Sequence, residues 1–240
     1  MYSFRDTLGP VAIAFTDRYG GVSAPPFDEL NLAREGDDDP DSVAENWRLL
    51  LEDFAPPGAV FADIHQVHGN AVETVEDWQP TTSAPHCDGV VTSRAGNVLA
   101  VRVADCVPVL MADAESGVVG AAHAGRRGLM SGVVPATLRR MRELGAREIV
   151  AWVGPHVCGG CYEVPAEMQE EVAAVVPEAR ATTTWDTPSL DLGAGVRAQL
   201  AAEGVEVTDA SRCTRESDDL YSYRRDGARA GRLAGLVVLR

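Results

Sequence analysis

Lysine is absent: all 21 basic residues of the 240-residue chain are arginine. A Schiff base, a pyridoxal-phosphate linkage, a lysine-bearing phosphate loop and a lysine general base are therefore excluded. Basic charge is scarce overall, because 36 acidic residues leave a formal net charge of −15. Neither a face basic enough to displace the counterions of nucleic acid nor attraction to an anionic membrane surface is expected. No apolar run has the length needed to span a bilayer. The opening Met1-Tyr2-Ser3-Phe4-Arg5-Asp6 carries an acidic residue and no apolar stretch behind it, unlike a secretory signal. Five cysteines at irregular spacing do not make a disulfide framework. The expectation is a reduced, cytoplasmic setting in which metal or thiolate chemistry is the reading to test.

The remainder is ordinary for a folded domain: 45% of residues are hydrophobic and 24% charged. Residues 1–240 are expected to form one domain with a core large enough to need no staple. After the acidic turn Glu35–Pro40, a capping Asp39 or Asp41, an early Pro40 and apolar Val43, Trp47, Leu50, Leu51 and Phe54 predict a helix. Strands are predicted over Val60–Ile64, Val72–Val75, Gly89–Thr92, Val98–Val103, Val107–Met111, Val118–Ala122 and Ile149–Val153. Further helices are predicted over Gly128–Leu144, Pro165–Val176 and Leu192–Ala202, the last stopped by Gly204. Leu233–Leu239 reads as a final strand buried on both faces. Strands paired early and alternating with helices later indicate an α/β (α+β) domain, a mixed sheet covered by helices.

The five histidines all lie between positions 65 and 156, a stretch that also holds Cys87 and Cys106 and is followed closely by Cys158 and Cys161. If Asp113–Ser116 form a hairpin loop, Ala112 pairs with Gly117 and Cys106 stands directly opposite His123. Opposed residues bring their Cβ atoms to about 4.5–5.5 Å on one sheet face, which suits a shared metal. A third donor is expected from His65-Gln66-Val67-His68-Gly69-Asn70, with His68 favoured because Gly69 lets the backbone turn. One thiolate and two imidazoles leave a fourth position open, the pattern of a catalytic zinc. The same residues admit two other readings: a Cys106–His123 nucleophile and base, or a small buried thiol beside a hydrogen-bonded histidine. Cys158-Gly-Gly-Cys161 is a bare C-x-x-C without a second pair, a weak metal signal, with Cys158 read as incidental. Cys87, Cys213, His65, His86 and His156 are read as structural or pocket-lining.

Several motifs then line up in order. Gln66 with His68-Gly69, Ala104-Asp105-Cys106-Val107-Pro108, His123-Ala124-Gly125 with Gly128, Cys161-Tyr162-Glu163-Val164 and Ser222-Tyr223-Arg224-Arg225-Asp226 resemble the signatures of the laccase-domain or YfiH-type family. Phe15–Ser23 and Asn31-Leu32 are similar to that family's opening, so the likeness runs nearly end to end. The resemblance implies a single layered α/β/β/α domain and His68, Cys106 and His123 as ligands of zinc, with copper also known in the family. It implies purine nucleosides and phosphate as small-molecule partners: phosphorolysis of adenosine, inosine and methylthioadenosine, and deamination of adenosine. Members are also called polyphenol oxidases, and a laccase-like copper oxidase is the alternative. Five histidines are too few for a four-copper centre. For nucleoside chemistry, Cys106 serves as metal ligand and catalytic group, and Asp105 is the candidate for proton transfer. Arg127 and Arg225 are candidates for gripping phosphate, and Asn31 and Gln66 for hydrogen-bonding the nucleoside. One departure stands out: Arg126 occupies the place where the family commonly has tryptophan.

Overall fold

The structure is a computed structural model that describes residues 1–76, 78 and 83–240. The chain opens with a hairpin, β1 (Tyr2–Leu8) and β2 (Val11–Thr16), then reaches helix α1 (Pro40–Phe54). Short strands β3 (Val60–Ala62) and β4 (Val72–Thr74) precede β5 (Gly89–Thr92), β6 (Asn97–Val103), β7 (Val107–Asp113) and β8 (Val118–Ala124). Helices α2 (Arg126–Ser131) and α3 (Val133–Glu143) follow, then β9 (Val150–Val153), α4 (Ala166–Ala173), and the pair β10 (Arg180–Thr182) and β11 (Pro188–Leu190). The last elements are α5 (Leu192–Ala202), β12 (Glu206–Asp209), α6 (Tyr223–Asp226) and β13 (Leu233–Leu239).

Two mixed sheets carry the fold, in the orders β1-β2-β13-β6-β3 and β12-β9-β7-β8-β5-β4. Strand periodicity sorts their side chains into layers. Val11, Ile13 and Phe15 of β2 meet Leu110, Ala112, Val119 and Ala121 of the facing sheet in an inter-sheet core. The alternate residues Ala12 and Ala14 turn outward, with Leu236 and Val238 of β13, onto Leu50 and Phe54 of α1. On the far side, Val107, Val109 and Met111 of β7 pack beneath Leu129, Leu138, Met141 and Val196 of the α2, α3 and α5 helices. The result is the α/β/β/α layering that the resemblance implies. Strands β2, β6, β7, β8 and β13 are buried along their whole length, which is why their sequences run apolar without alternation.

The α1 cap is as read: the Asp39 carboxylate accepts from the Asp41 and Ser42 amides, and Pro40 takes the first turn. Three predictions need correction. The helix read over Gly128–Leu144 is two helices, because Gly132 adopts φ 77° and ends α2 before α3 begins. The strand read as Val60–Ile64 is paired only over Val60–Ala62, and the helix read as Pro165–Val176 ends at Ala173. The hairpin register also differs. Asp113 pairs with Val118, and Ala112 with Val119, so Pro108 rather than Cys106 opposes His123. The reason is local: Asp113 Oδ1 accepts the amides of Glu115 and Ser116, each at 3.0 Å, so it caps its own turn, and Gly117 takes the left-handed position at φ 69°. Cys106 now precedes the strand, two positions from His123's partner. A displacement of two residues preserves the face, whereas one residue would have reversed it.

Candidate metal centre

The ligand atoms of His68, Cys106 and His123 all lie within 4.8 Å of one another. Cys106 Sγ is 3.9 Å from His68 Nε2, and the two imidazoles meet edge to face at 4.8 Å between centroids. A tetrahedral zinc with ordinary bond lengths holds sulfur and nitrogen about 3.5 Å apart, so a small inward movement completes the fit. The donor set of one thiolate and two imidazoles suits zinc or copper.

What assembles the site is a residue absent from the sequence-level candidates. Asp88, fully buried just before β5, accepts the backbone amides of Val67 at 3.1 Å, His68 at 3.0 Å and Gly69 at 2.7 Å. These bonds hold the His68 turn, where His68 adopts φ 60° without being glycine. The same carboxylate lies 2.8 Å from His123 Nδ1. An ionised carboxylate only accepts, so Nδ1 donates and Nε2 is the nitrogen that would face a metal once deprotonated. Asp88 also accepts the His123 amide through its own carbonyl, at 2.7 Å. Burial pushes the Asp88 carboxyl up, but His123 and the amides outweigh it and keep it ionised below the usual carboxylate range. The signal in the sequence was slight: one acidic residue in Cys87-Asp88-Gly89 at the head of an apolar strand.

Asp105 performs the corresponding task for Cys106. It sits at φ 93°, and its carboxylate accepts Thr214 Oγ1 at 2.6 Å, Ser222 Oγ at 2.7 Å and the Arg224 amide at 2.6 Å. A left-handed non-glycine residue costs on the order of 1–2 kcal/mol, and these three bonds hold it. These bonds tie the residue next to Cys106 in the chain to the loop that runs from Thr214 to Arg224.

Burial raises the Cys106 thiol, but the positive ends of His123 and His68 outweigh it and bring the pKa to about 6. Burial lowers His123, while Cys106 and Asp88 outweigh it and raise the imidazole to about 9. Between those values the metal-free pair is a thiolate beside an imidazolium. Iodoacetamide should therefore alkylate Cys106 of the metal-stripped protein with a rate that rises through about pH 6. In His123→Ala the midpoint should move up toward the ordinary thiol range, about 8.5. A midpoint unchanged by that substitution would mean that His123 does not set the thiol's charge.

Gly125 closes the centre from the α2 side. A Cβ there would lie 2.8 Å from His68 Cδ2, closer than real side chains pack, and a tight 3.1 Å from Cys106 Sγ. Gly125→Ala should push the two candidate ligands apart and weaken metal binding roughly 10–100-fold, comparable to losing an outer-shell partner. Competition with a chromophoric chelator checks it, and an unchanged affinity would refute the steric reading.

A cleft of about 290 Å³ opens beside His68, walled by Arg34, Glu35, His65, Gln66, Arg102 and Arg232. Gln66 faces it, but its amide is committed to the Arg102 backbone, donating at 2.9 Å and accepting at 2.8 Å. Asn31 is buried, and its Oδ1 accepts the amides of Ala33 and Arg232 while its Nδ2 donates to Asp38. Asn31 thus fixes the strand entrance that carries Arg232. The half-buried Arg232 guanidinium bonds the Ala230 and Gly231 carbonyls. Burial lowers its pKa, and the nearby Cys106 and Asp105 charges oppose that. Arg232 was missed because it stands alone before an apolar strand.

Arg225 is placed differently from the cleft arginines. It donates to the carbonyls of Thr214, Ser217 and Leu220 and pairs with Asp226, as a strut for the loop that supplies Asp105's partners. Arg127 is exposed on α2. Its neighbour Arg126, in the place of the family's tryptophan, points its guanidinium toward Glu171 at 3.7 Å.

Comparison with known proteins follows this geometry. The profile of the family described as multi-copper polyphenol oxidoreductase laccase matches residues 12–240. A Streptomyces coelicolor protein named purine nucleoside phosphorylase is 52% identical over 242 residues, covering all of both chains. The Escherichia coli purine nucleoside phosphorylase YfiH is 37% identical over 234 residues, 95% of this chain and 94% of the relative. Among solved structures, YlmD from Geobacillus stearothermophilus superposes with a TM-score of 0.86 at 31% identity, over 96% of this chain and 92% of that one.

Proposed function

The chain belongs to the multi-copper polyphenol oxidoreductase laccase family, and from that premise we propose that it is a metal-dependent purine nucleoside phosphorylase that also deaminates adenosine. The observation that carries this reading is the three-donor site beside a cleft walled by Arg34 and Arg232. Relatives named purine nucleoside phosphorylase over the full length support the substrate class. A multi-copper oxidase needs many imidazoles. Of the five histidines here, only His68 and His123 join a metal-capable group among the described residues.

His68, Cys106 and His123 would hold zinc, which when bound supplies a Lewis acid with an open position. The chain's own groups account for the rest. Arg34 and Arg232 hold inorganic phosphate in the cleft and bring one oxygen toward C1′ of the ribose. As that O–C1′ bond forms, the C1′–N9 bond breaks and its electron pair leaves with the purine, giving ribose 1-phosphate and free base. His65, whose Nδ1 is 3.7 Å from Glu35 at the cleft edge, is the group placed to give the departing base a proton. In deamination, water adds at C6 of adenosine and ammonia leaves. Asp88 and Asp105 touch neither substrate; they hold the ligands in place. Arg232→Ala should raise the KM for phosphate by roughly tenfold to a hundredfold, the loss of one charge-assisted contact, with little change in the KM for adenosine. Equal effects on both would remove Arg232 from the phosphate site.

The test of the proposal is chromatography of adenosine incubated with zinc-loaded and metal-stripped protein, with and without phosphate. Adenine formed only with phosphate and metal supports phosphorolysis, and inosine without phosphate supports deamination. No product at any metal loading overturns both. A second reading rests on the line Asp88–His123–Cys106, which is also that of an orienting acid, base and nucleophile. That reading does not need His68, so hydrolysis surviving both a chelator and His68→Ala would favour it.

A further inference from the structure

A second cluster of metal-capable donors lies outside this centre. The ligand atoms of Cys158, Cys161, Cys213 and Glu216 all fall within 4.8 Å of one another. In the sequence, Cys158 reads as incidental and Cys213 as structural or pocket-lining; the two stand 55 residues apart in the chain. Folding brings them together through a short ladder: His156 donates its amide to the Arg212 carbonyl, and Thr214 returns an amide to His156, both at 3.1 Å.

The local geometry is that of a metal-binding knuckle. Cys158-Gly-Gly-Cys161 closes a tight turn, with the amides of Cys161 and Tyr162 both bonded to the Cys158 carbonyl at 3.0 and 3.1 Å. The turn requires glycine, since a Cβ on Gly159 would lie 2.9 Å from Asp191 Cβ. The Cys158 amide donates to Cys213 Sγ at 3.5 Å, so the turn and the 213–216 loop are already joined through sulfur. Cys161 Sγ donates to Glu216 Oε1 at 3.3 Å, so the carboxylate already lies against the sulfurs. None of these cysteines is in a disulfide.

We propose that Cys158, Cys161, Cys213 and Glu216 form a second zinc site, closed and structural, that staples the 158–161 turn to the 213–216 loop. Three soft sulfurs select zinc over hard cations, and four protein donors leave no position for substrate. The staple sits directly behind the Asp105 hub. Thr214, next to Cys213, donates to Asp105 Oδ1, and Val157, next to Cys158, donates its amide to the Asp105 carbonyl at 3.0 Å. Zinc here fixes the loop that aims Cys106, without joining the reaction.

Zinc per chain, measured on full-length protein reduced, loaded with zinc and freed of excess metal, tests this. The wild type should hold two zinc ions, and Cys106→Ala and Cys158→Ser one each. Cobalt provides an independent readout: cobalt-loaded Cys106→Ala should keep a strong sulfur-to-cobalt charge-transfer band, which only the second cluster can supply. One zinc in the wild type, or no such band in Cys106→Ala, overturns the proposal. So does a disulfide among these three cysteines in protein purified under reducing conditions, seen as its mass deficit in the denatured chain. Should Cys158→Ser fail to fold, the wild-type stoichiometry and the cobalt spectrum still decide.

Discussion

Asp88→Ala is expected to abolish metal binding at the candidate His68–Cys106–His123 centre and to destabilise the fold by about 3–5 kcal/mol, the range for removing one partner of a buried charged pair. The size follows from the number of groups on one buried carboxylate: three part-buried amides of the His68 turn and the buried imidazole of His123. Without the acceptor, the turn loses what holds His68 in its left-handed conformation, and His123 is free to rotate its Nε2 away. The loss of metal affinity should exceed the roughly 10–100-fold of an ordinary outer-shell substitution, because both histidines depend on the same group. Thermal melting and chelator competition on the purified variant measure the two effects. Metal affinity close to that of the wild type would mean that His68 and His123 are held by something else.

Asp105 carries the second large effect. Asp105→Asn keeps the shape but turns an NH₂ toward donors, where the carboxylate receives three. Metal affinity and kcat should both fall by more than tenfold, the loss of one to two charged hydrogen bonds at about 1.5–3 kcal/mol each. Its residual activity should keep the wild-type pH profile, because a positioning residue adds no titration of its own to the rate. Disappearance of one limb of the profile, with metal affinity intact, would instead make Asp105 a proton-transfer group. Asp105→Gly separates the remaining contribution: glycine accepts φ 93° without strain, so any loss in that variant reports the hydrogen bonds alone.

The candidate site was legible in part because its ligands stand in short, unusual strings. His68-Gly69, Asp105-Cys106 and His123-Ala124-Gly125 announce themselves, and the structure brings His68, Cys106 and His123 to one point. Their mutual placement survived an error in register only because that error was an even one. The groups that steer them were not legible in the same way. Asp88 looked like any strand-end acid, and Arg225, within the conspicuous Tyr223-Arg224-Arg225-Asp226, was easier to notice than the solitary Arg232. Asn31 and Gln66 were visible as polar residues in apolar surroundings, but not the backbone groups to which their amides are committed.

By itself the sequence determined the layered α/β character, most strands and helices, the exclusion of lysine chemistry and the three candidate donors that the fold brings together. These depend on composition or on repeats of two and 3.6 residues, which are properties of neighbouring positions. Only the tertiary structure decided that Asp88 reaches His123, that Arg232 approaches Cys106, and that Cys158 meets Cys213. Each of these depends on which strands lie side by side and in what register: β5 against β8, β13 between β2 and β6, and the loop after β9 against the loop after β12. Strand pairing is set by the burial of whole faces across the chain, so residues far apart in sequence acquire a shared function only once the sheets have formed.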